Sequence, residues 1–442
     1  MIPFKTTTID ALQTTASEIP SAKKIMPINK TIAAELYHGL VLISLVAPLA
    51  AAPAQPKPAS SKSPSPVRTS AAPVQGTFPT RVTEEQFSRT VASGIELTTI
   101  TRRDANGPLQ LFVTRVNLRP ENSDVRWKLR LATADYSVLK RATVTAMSKK
   151  QNAVVAINGG YFAFGGAALG AVKMDGEWIR LPIKNRTSLG FDEKNGAHIG
   201  NLKASATVFF NESLVSGPRP FDSIRVDIDN LNGYAPENGT CVLTPRFGNS
   251  YKLREDEMAV EVENNAIFAH KTAGIASISA KGWTLIARGT ARATLHQSFA
   301  ETPPRAAKFQ ISAPASWQKF SNILGAGPRL LRNGKIETTE TIEGFRPDVL
   351  ARGPRSAVGV DAAGQVWLLA ADGRDPEYSR GLTLSELAAE MKKLGVVEAI
   401  CLDGGGSTAM TINGILVNRP SDGKERRVPN ALIVTAVETS GK

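Results

Sequence analysis

Along most of the chain, apolar and polar positions alternate. IELTTITR at 95–102, LQLFVTRVNL at 109–118 and VRWKLRLAT at 125–133 alternate or are rich in β-branched residues, which predicts strands. AVVAIN at 153–158 is almost continuously apolar, the pattern of a strand buried on both faces, with a helix expected before it from about Thr143 to Lys150. Thr83 followed by Gln86 has the form of a capping box, and predicts a short helix that stops at Gly94. From about 200 to 320, short β-like runs such as ASATVFF, AIFAH and AKFQISA are separated by Gly, Pro and Asn, without an internal repeat.

The last hundred residues carry the sharpest signals. SAVGV (356–360), VWLLAA (366–371), EAICLD (398–403) and STAMTI (407–412) read as strands, and Asn413-Gly414 as a type I′ hairpin turn. One helix is well marked: Thr383 and Glu386 form its capping box, Leu384, Leu387, Ala388, Met391 and Leu394 its apolar stripe, and Gly395 its stop. Strands outnumber helices and connections are short. The fold expected is α+β, a mixed, largely antiparallel sheet with a few packed helices and a β-rich middle segment.

Composition adds an address. The only long apolar run, GLVLISLVAPLAAA at 39–52, is shorter than the ~20 residues of a membrane span. With Lys23, Lys24 and Lys30 before it and Ala52-Pro53-Ala54 after it, it reads as a signal-peptide core, with Met26 as a better start than Met1. Residues 1–54 are therefore expected to be a leader, 55–80 a Pro/Ser/Ala-rich linker, and 81–442 the folded body, exported to a periplasmic or extracellular setting with no stable membrane span after cleavage. Of the net charge of +13, the leader supplies +1 and the linker +3, leaving +9 on the body. That excess points to a polyanionic partner. Without a concentrated Lys/Arg cluster interleaved with aromatics, nucleic acid is not the expected one. Two cysteines and four scattered histidines give no disulfide framework and no metal-site spacing.

Three Gly-rich corners adjoin the predicted buried strands: Asn158-Gly159-Gly160-Tyr161-Phe162, Asp372-Gly373-Arg374-Asp375 and Asp403-Gly404-Gly405-Gly406-Ser407-Thr408. None has Walker or dinucleotide spacing. In the third, a carboxylate, two hydroxyls and backbone amides stand at one strand end, a grouping suited to a sugar and its phosphate.

INGGYF at 157–162, PRSAVGV at 354–360, the run from Asp372 to Met410 and VNRPSDGKERRVPNALIV at 417–434 resemble the phosphodiester glycosidase family, whose bacterial members are tied to exopolysaccharide biosynthesis. The resemblance extends from about residue 85 to the C-terminus. It departs from the family at Cys401, where Asn is usual, and in the β-rich 200–320 region, which matches nothing and is where substrate choice would reside. The resemblance implies an exported hydrolase that breaks the bond between an anomeric carbon and a phosphate oxygen in a phosphate-bearing glycan or sugar-1-phosphodiester. Its implied nucleophile or base is Asp403, with Asp372 or Asp375 as second carboxylate. Arg355, Arg374 and Arg380 would contact phosphate, Asn158, Ser407 and Thr408 would orient sugar hydroxyls, Tyr161 would stack on a sugar face, and Gly159, Gly160, Gly404, Gly405 and Gly406 would line the site. No cofactor is required by these residues. Two other readings stand beside this one: a phosphohydrolase in which Asp372, Asp375 and Asp403 hold a divalent cation, and a non-catalytic module that binds anionic polysaccharide.

Overall fold

The computed structural model describes residues 82–437 apart from 122, 164, 193–195 and 212–223. The leader and the 55–80 linker lie outside the described residues.

An eight-stranded antiparallel sheet organises the body. Its central strands are Gly107–Val116, Val366–Ala371, Arg355–Asp361 and Val396–Cys401, in that order. Each is apolar on both faces because each face is covered. Phe112, Val358, Leu368 and Ile400 point into a core shared with two five-stranded sheets. Their neighbours Leu111, Val113, Ala357, Leu369, Ala399 and Cys401 point the other way, against Leu384, Leu387, Ala388 and Met391 of helix Leu384–Lys393. That helix begins as expected, with the Thr383 and Glu386 side chains capping each other's backbone amides. Cys401, fully buried against it, packs as a small apolar residue.

One five-stranded sheet holds Val155–Asn158 between Met410–Ile412 and Asn430–Ala436; the other pairs Thr187–Asp192 with Asn322–Gly325. Residues 205–312 build a separate eight-stranded sheet, antiparallel except where Asn230–Leu231 runs parallel to Thr240–Leu243, and helix Thr290–Glu301 covers it with Leu295 and Phe299. The α+β, mostly antiparallel architecture is thus the one the pattern predicts.

The chain departs from expectation at its start. Thr83–Ala92 is a strand, paired with Ile95–Asp104 around a turn at Gly94 (φ 75°), and not a helix. Its residues are almost all exposed, so a helix there would bury too little to offset its nucleation cost, whereas the hairpin gains a ladder interrupted only by a bulge between Thr90 and Ala92. STAMTI is also shorter as a strand than expected: Gly405–Ser407 is a 3₁₀ turn, and pairing begins at Met410. Asn413 and Gly414 do form the left-handed hairpin turn (φ 51° and 72°).

Strand ends from all three sheets meet beyond Cys401. Gly327 N–H donates to Cys401 O (3.0 Å), Ala326 N–H to Thr187 O (3.1 Å), Asp403 N–H to Gly159 O (3.0 Å) and Asn158 N–H to Ala409 O (3.1 Å).

Candidate active site

Asp403 is the second residue past the buried strand Val396–Cys401, and its backbone is held on both sides. Asn158, fully buried, donates from Nδ2 to Asp403 O (2.6 Å) and accepts at Oδ1 from Ser356 Oγ (2.7 Å) and the Ala409 amide (3.2 Å). Asn158 thereby ties the strand carrying Asp403 to two others, a positioning role in place of the expected sugar contact. Asn430 repeats the device, accepting the Gly160 amide at its Oδ1 (3.0 Å).

The Asp403 carboxyl accepts from the Gly404 amide (3.0 Å) and from the Ser407 hydroxyl. Burial pushes its pKa up to about 6, against the pull of Ser407, Gly404 and the more distant Arg426. A carboxyl so tuned changes protonation near neutrality, where acid/base catalysis needs it.

The glycine triplet serves packing as well as reach. Gly405 has φ 59° and donates to Pro354 O (2.9 Å), while a Cβ on Gly406 would come within 2.0 Å of Asp422 Oδ2 and 2.2 Å of an Arg426 nitrogen. The Gly404 and Gly405 amides are thus used within the protein, the first by Asp403 itself. Arg426 pairs with Asp422 (2.6 Å) and reaches Ser407 Oγ (3.4 Å). Arg374, in a left-handed conformation (φ 68°), lies across the same turn and contacts Ser421 Oγ (3.4 Å). Two partly exposed guanidinium groups therefore flank the DGGGS turn.

A third approaches from the opposite sheet. Arg186, half-buried, uses Nε on Glu343 O (3.0 Å) and stacks 3.7 Å from the Phe345 ring centre and 6.0 Å from that of Tyr161. Tyr161 packs on Phe345 (5.3 Å), and its hydroxyl meets Cys401; burial and the nearby Cys401 and Asp403 hold its pKa well above the usual tyrosine range. Tyr161 thus neighbours Arg186 and feels the charge of Asp403.

The other expected residues sit elsewhere or are otherwise engaged. Arg355 is buried and donates to three carbonyls, Leu382 O (3.0 Å), Val349 O (2.8 Å) and Ala351 O (2.5 Å), so three of its five N–H groups pin loops. Asp372 is buried, with its oxygens on Asn418 Nδ2 (2.8 Å), the Arg419 amide (2.9 Å) and Tyr378 Oη (3.2 Å). Burial still raises its pKa. Asp375 organises its own turn by accepting the Glu377 and Tyr378 amides (3.1 and 3.2 Å) and pairs with Arg419 (3.2 Å). Among the described residues, no cluster of three or more Asp, Glu, His or Cys is placed to hold a metal ion. Arg380 lines a separate cavity of about 210 Å³ with Asp104, Arg352 and Glu386. Thr408 Oγ1 is buried with no partner.

Arg186 and Arg426 were missed by residue-level reasoning. Arg426 stands in KERRVPN, a motif segment among several basic residues, and Arg186 in KNRTSLGF, whose Arg-hydroxyl-x-x-Gly spacing matches that of PRSAVGV and offered a signal.

Over 113 residues, 23% of this chain, the sequence is 41% identical to mouse N-acetylglucosamine-1-phosphodiester alpha-N-acetylglucosaminidase and 40% identical to the human enzyme of that name. The chain spans about a fifth of the length of these curated relatives, 22% in each case. The crystal structure of a hypothetical protein from Synechocystis superposes with a TM-score of 0.68 at 26% identity, over 80% of this chain and 64% of that one. Residues 256–435 match the family described as phosphodiester glycosidase, a match that begins inside the middle segment and includes Arg374, Asp403, Ser407 and Arg426.

Proposed function

We propose that the protein hydrolyses sugar-1-phosphodiesters at the Asp403 corner. The observation that carries this reading is a carboxyl with its pKa pushed up to about 6, acted on by Arg426 beside Arg374 at the glycine turn, with Arg186 stacked near the neighbouring Tyr161. In the reaction so read, Asp403 takes a proton from water as the water oxygen bonds to the anomeric carbon. The bond from that carbon to the phosphate oxygen breaks, and its electron pair leaves with the phosphate monoester. Such a leaving group needs little protonation, and the guanidinium groups stabilise its growing charge. Arg186 takes the phosphate role first expected of Arg355, three of whose five N–H groups hold loop carbonyls. Tyr161 offers one ring edge to the sugar. Asp372 and Asp375 support the neighbouring loop through Asn418 and Arg419.

The substrate setting is read from sequence and charge: an exported enzyme of basic body acting on envelope or extracellular glycan. Among the described residues, no helix is long and apolar enough to cross a membrane.

The test is hydrolysis of synthetic methyl phosphodiesters of N-acetylglucosamine-1-phosphate and mannose-1-phosphate in ¹⁸O-labelled water. Label is expected in the released sugar. Label in phosphate would instead support the phosphohydrolase reading and overturn this one.

A further inference from the structure

Beyond the Asp403 corner, a succession of arginine–aromatic pairs continues onto the middle segment. Phe162, next to Tyr161, lies under Arg141 (5.7 Å from guanidinium carbon to ring centre). The loop carrying Arg141 also carries Tyr136, which lies under Arg246 (4.1 Å), and the two segments are joined by the Val138 amide donating to Arg246 O (2.9 Å). Next to Arg246, Phe247 packs edge-on against Tyr234 (6.3 Å), and Tyr234 in turn lies under Arg254 (5.4 Å). The pairs are thus linked by backbone and ring contacts from the candidate site into residues 205–312.

Their exposure is unusual for such side chains. Tyr136 and Tyr234 are 55% and 51% exposed, and Arg254 is also exposed. Each tyrosine ring, held upright by an arginine, presents an apolar face to solvent; Arg246 is itself paired with Glu177 (2.9 Å), so the positive charge open to an anion is that of Arg254 over Tyr234, whose nearest carboxylate, Glu257, is 3.9 Å away. That is the complement of a pyranose ring carrying an anionic substituent: the sugar's C–H face stacks on the ring and the anion meets the guanidinium. None of the outer residues, Tyr136, Arg246, Tyr234 and Arg254, is among those in contact with Asp403, Ser407 or Arg426.

We propose that these pairs form a binding surface for a polymeric anionic glycan, so that the Asp403 corner acts on one unit of a chain laid across the middle segment. This assigns a role to residues 205–312, and it deepens the proposed function, on which its catalytic half rests. The +9 charge of the body favours the encounter.

The test separates the surface from the chemistry. Binding of phosphomannan, a mannose polymer bearing phosphodiester groups, is measured by affinity electrophoresis with the Asp403→Asn protein, so that turnover plays no part, and with unphosphorylated mannan as the neutral control. Adding Tyr136→Ala and Tyr234→Ala is expected to raise the Kd for phosphomannan about tenfold or more, with little retardation by mannan in either protein. With Asp403 intact, the same double substitution is expected to leave kcat/KM on the small methyl phosphodiesters unchanged. Arg254→Gln, at an exposed side chain, serves as a second variant should the double substitution disturb folding. Undiminished phosphomannan binding in both variants would overturn the proposal. So would equal loss of binding to a single-stranded oligonucleotide. Loss of phosphomannan binding in a protein whose wild type turns over no diester would uphold the surface and sink the hydrolase reading alone.

Discussion

Replacing Asp403 by Asn tests the site through two independent readouts. In the wild type, burial raises the carboxyl's pKa from 3.8 to about 6, so the folded state binds more protons than the unfolded state between those values. Stability therefore falls as pH rises from about 4 to 6 and is flat above. The shift corresponds to about 2–3 kcal/mol of strain carried by the charged form at neutral pH. Asparagine is nearly isosteric, carries no charge to desolvate, and can still accept from the Gly404 amide and Ser407. At pH 7.5 Asp403→Asn is expected to be as stable as the wild type or up to about 2 kcal/mol more so, equivalent to about 3 °C in Tm for a body of this size. At pH 4 the two should converge. Differential scanning calorimetry across pH 4–8 measures the slope, and turnover of a methyl phosphodiester of a sugar-1-phosphate measures the activity, expected to fall about 10³-fold or more in kcat. A variant that melted well below the wild type at pH 7.5 and kept most of its activity would refute the reasoning, since Asp403 would then be an ordinary structural carboxylate.

The wild-type kcat/KM should rise with pH through a limb near pH 6 as Asp403 deprotonates; a profile flat from pH 5 to 8 would remove it as base. Arg186→Ala should lower kcat/KM by about 10–100-fold, with Arg186→Lys recovering part of the loss, because a charge-assisted contact to phosphate contributes about 1.5–3 kcal/mol. Arg355→Ala should instead lower stability, seen as a drop in Tm of several degrees, since it strips three carbonyls of their buried partner. Asn158→Ala should cost about 2–4 kcal/mol in chemical denaturation by breaking three hydrogen bonds at one buried residue. As a control away from the site, Thr383→Ala should cost about 1 kcal/mol through loss of the helix cap and leave kcat unchanged.

The capped helix at 384–393, the Asn413-Gly414 turn and the strands flanking them were all legible in the sequence, because each rests on local chemistry: a cap that satisfies its own backbone, a turn that needs left-handed residues, a period that matches a buried face. The Asp403 corner was legible for the same reason, as a carboxylate placed between a buried strand and consecutive glycines. Local reasoning failed at Thr83, where a capping-box pattern was outweighed by pairing with the neighbouring strand.

What Asp403 does among its neighbours was decided only in three dimensions. Arg355 and Arg186 both precede a hydroxyl residue in a strand ending near the site, and by composition either was a phosphate ligand. The loops at Val349, Ala351 and Leu382 close over the first and hold each of its three nitrogens by a carbonyl, whereas the second is left stacked on Phe345 beside Tyr161. Asn158 looked like a sugar contact and proves to be the buried tie that sets the Asp403 backbone. Sequence determines which groups are available and how each strand is covered. Which nitrogen meets a carbonyl and which a ring depends on how loops and sheets close: Arg355 is held by loop carbonyls 4 to 27 positions away, whereas Arg186 on Phe345 and Asn158 on Asp403 are contacts across far longer separations that exist only once the sheets have packed.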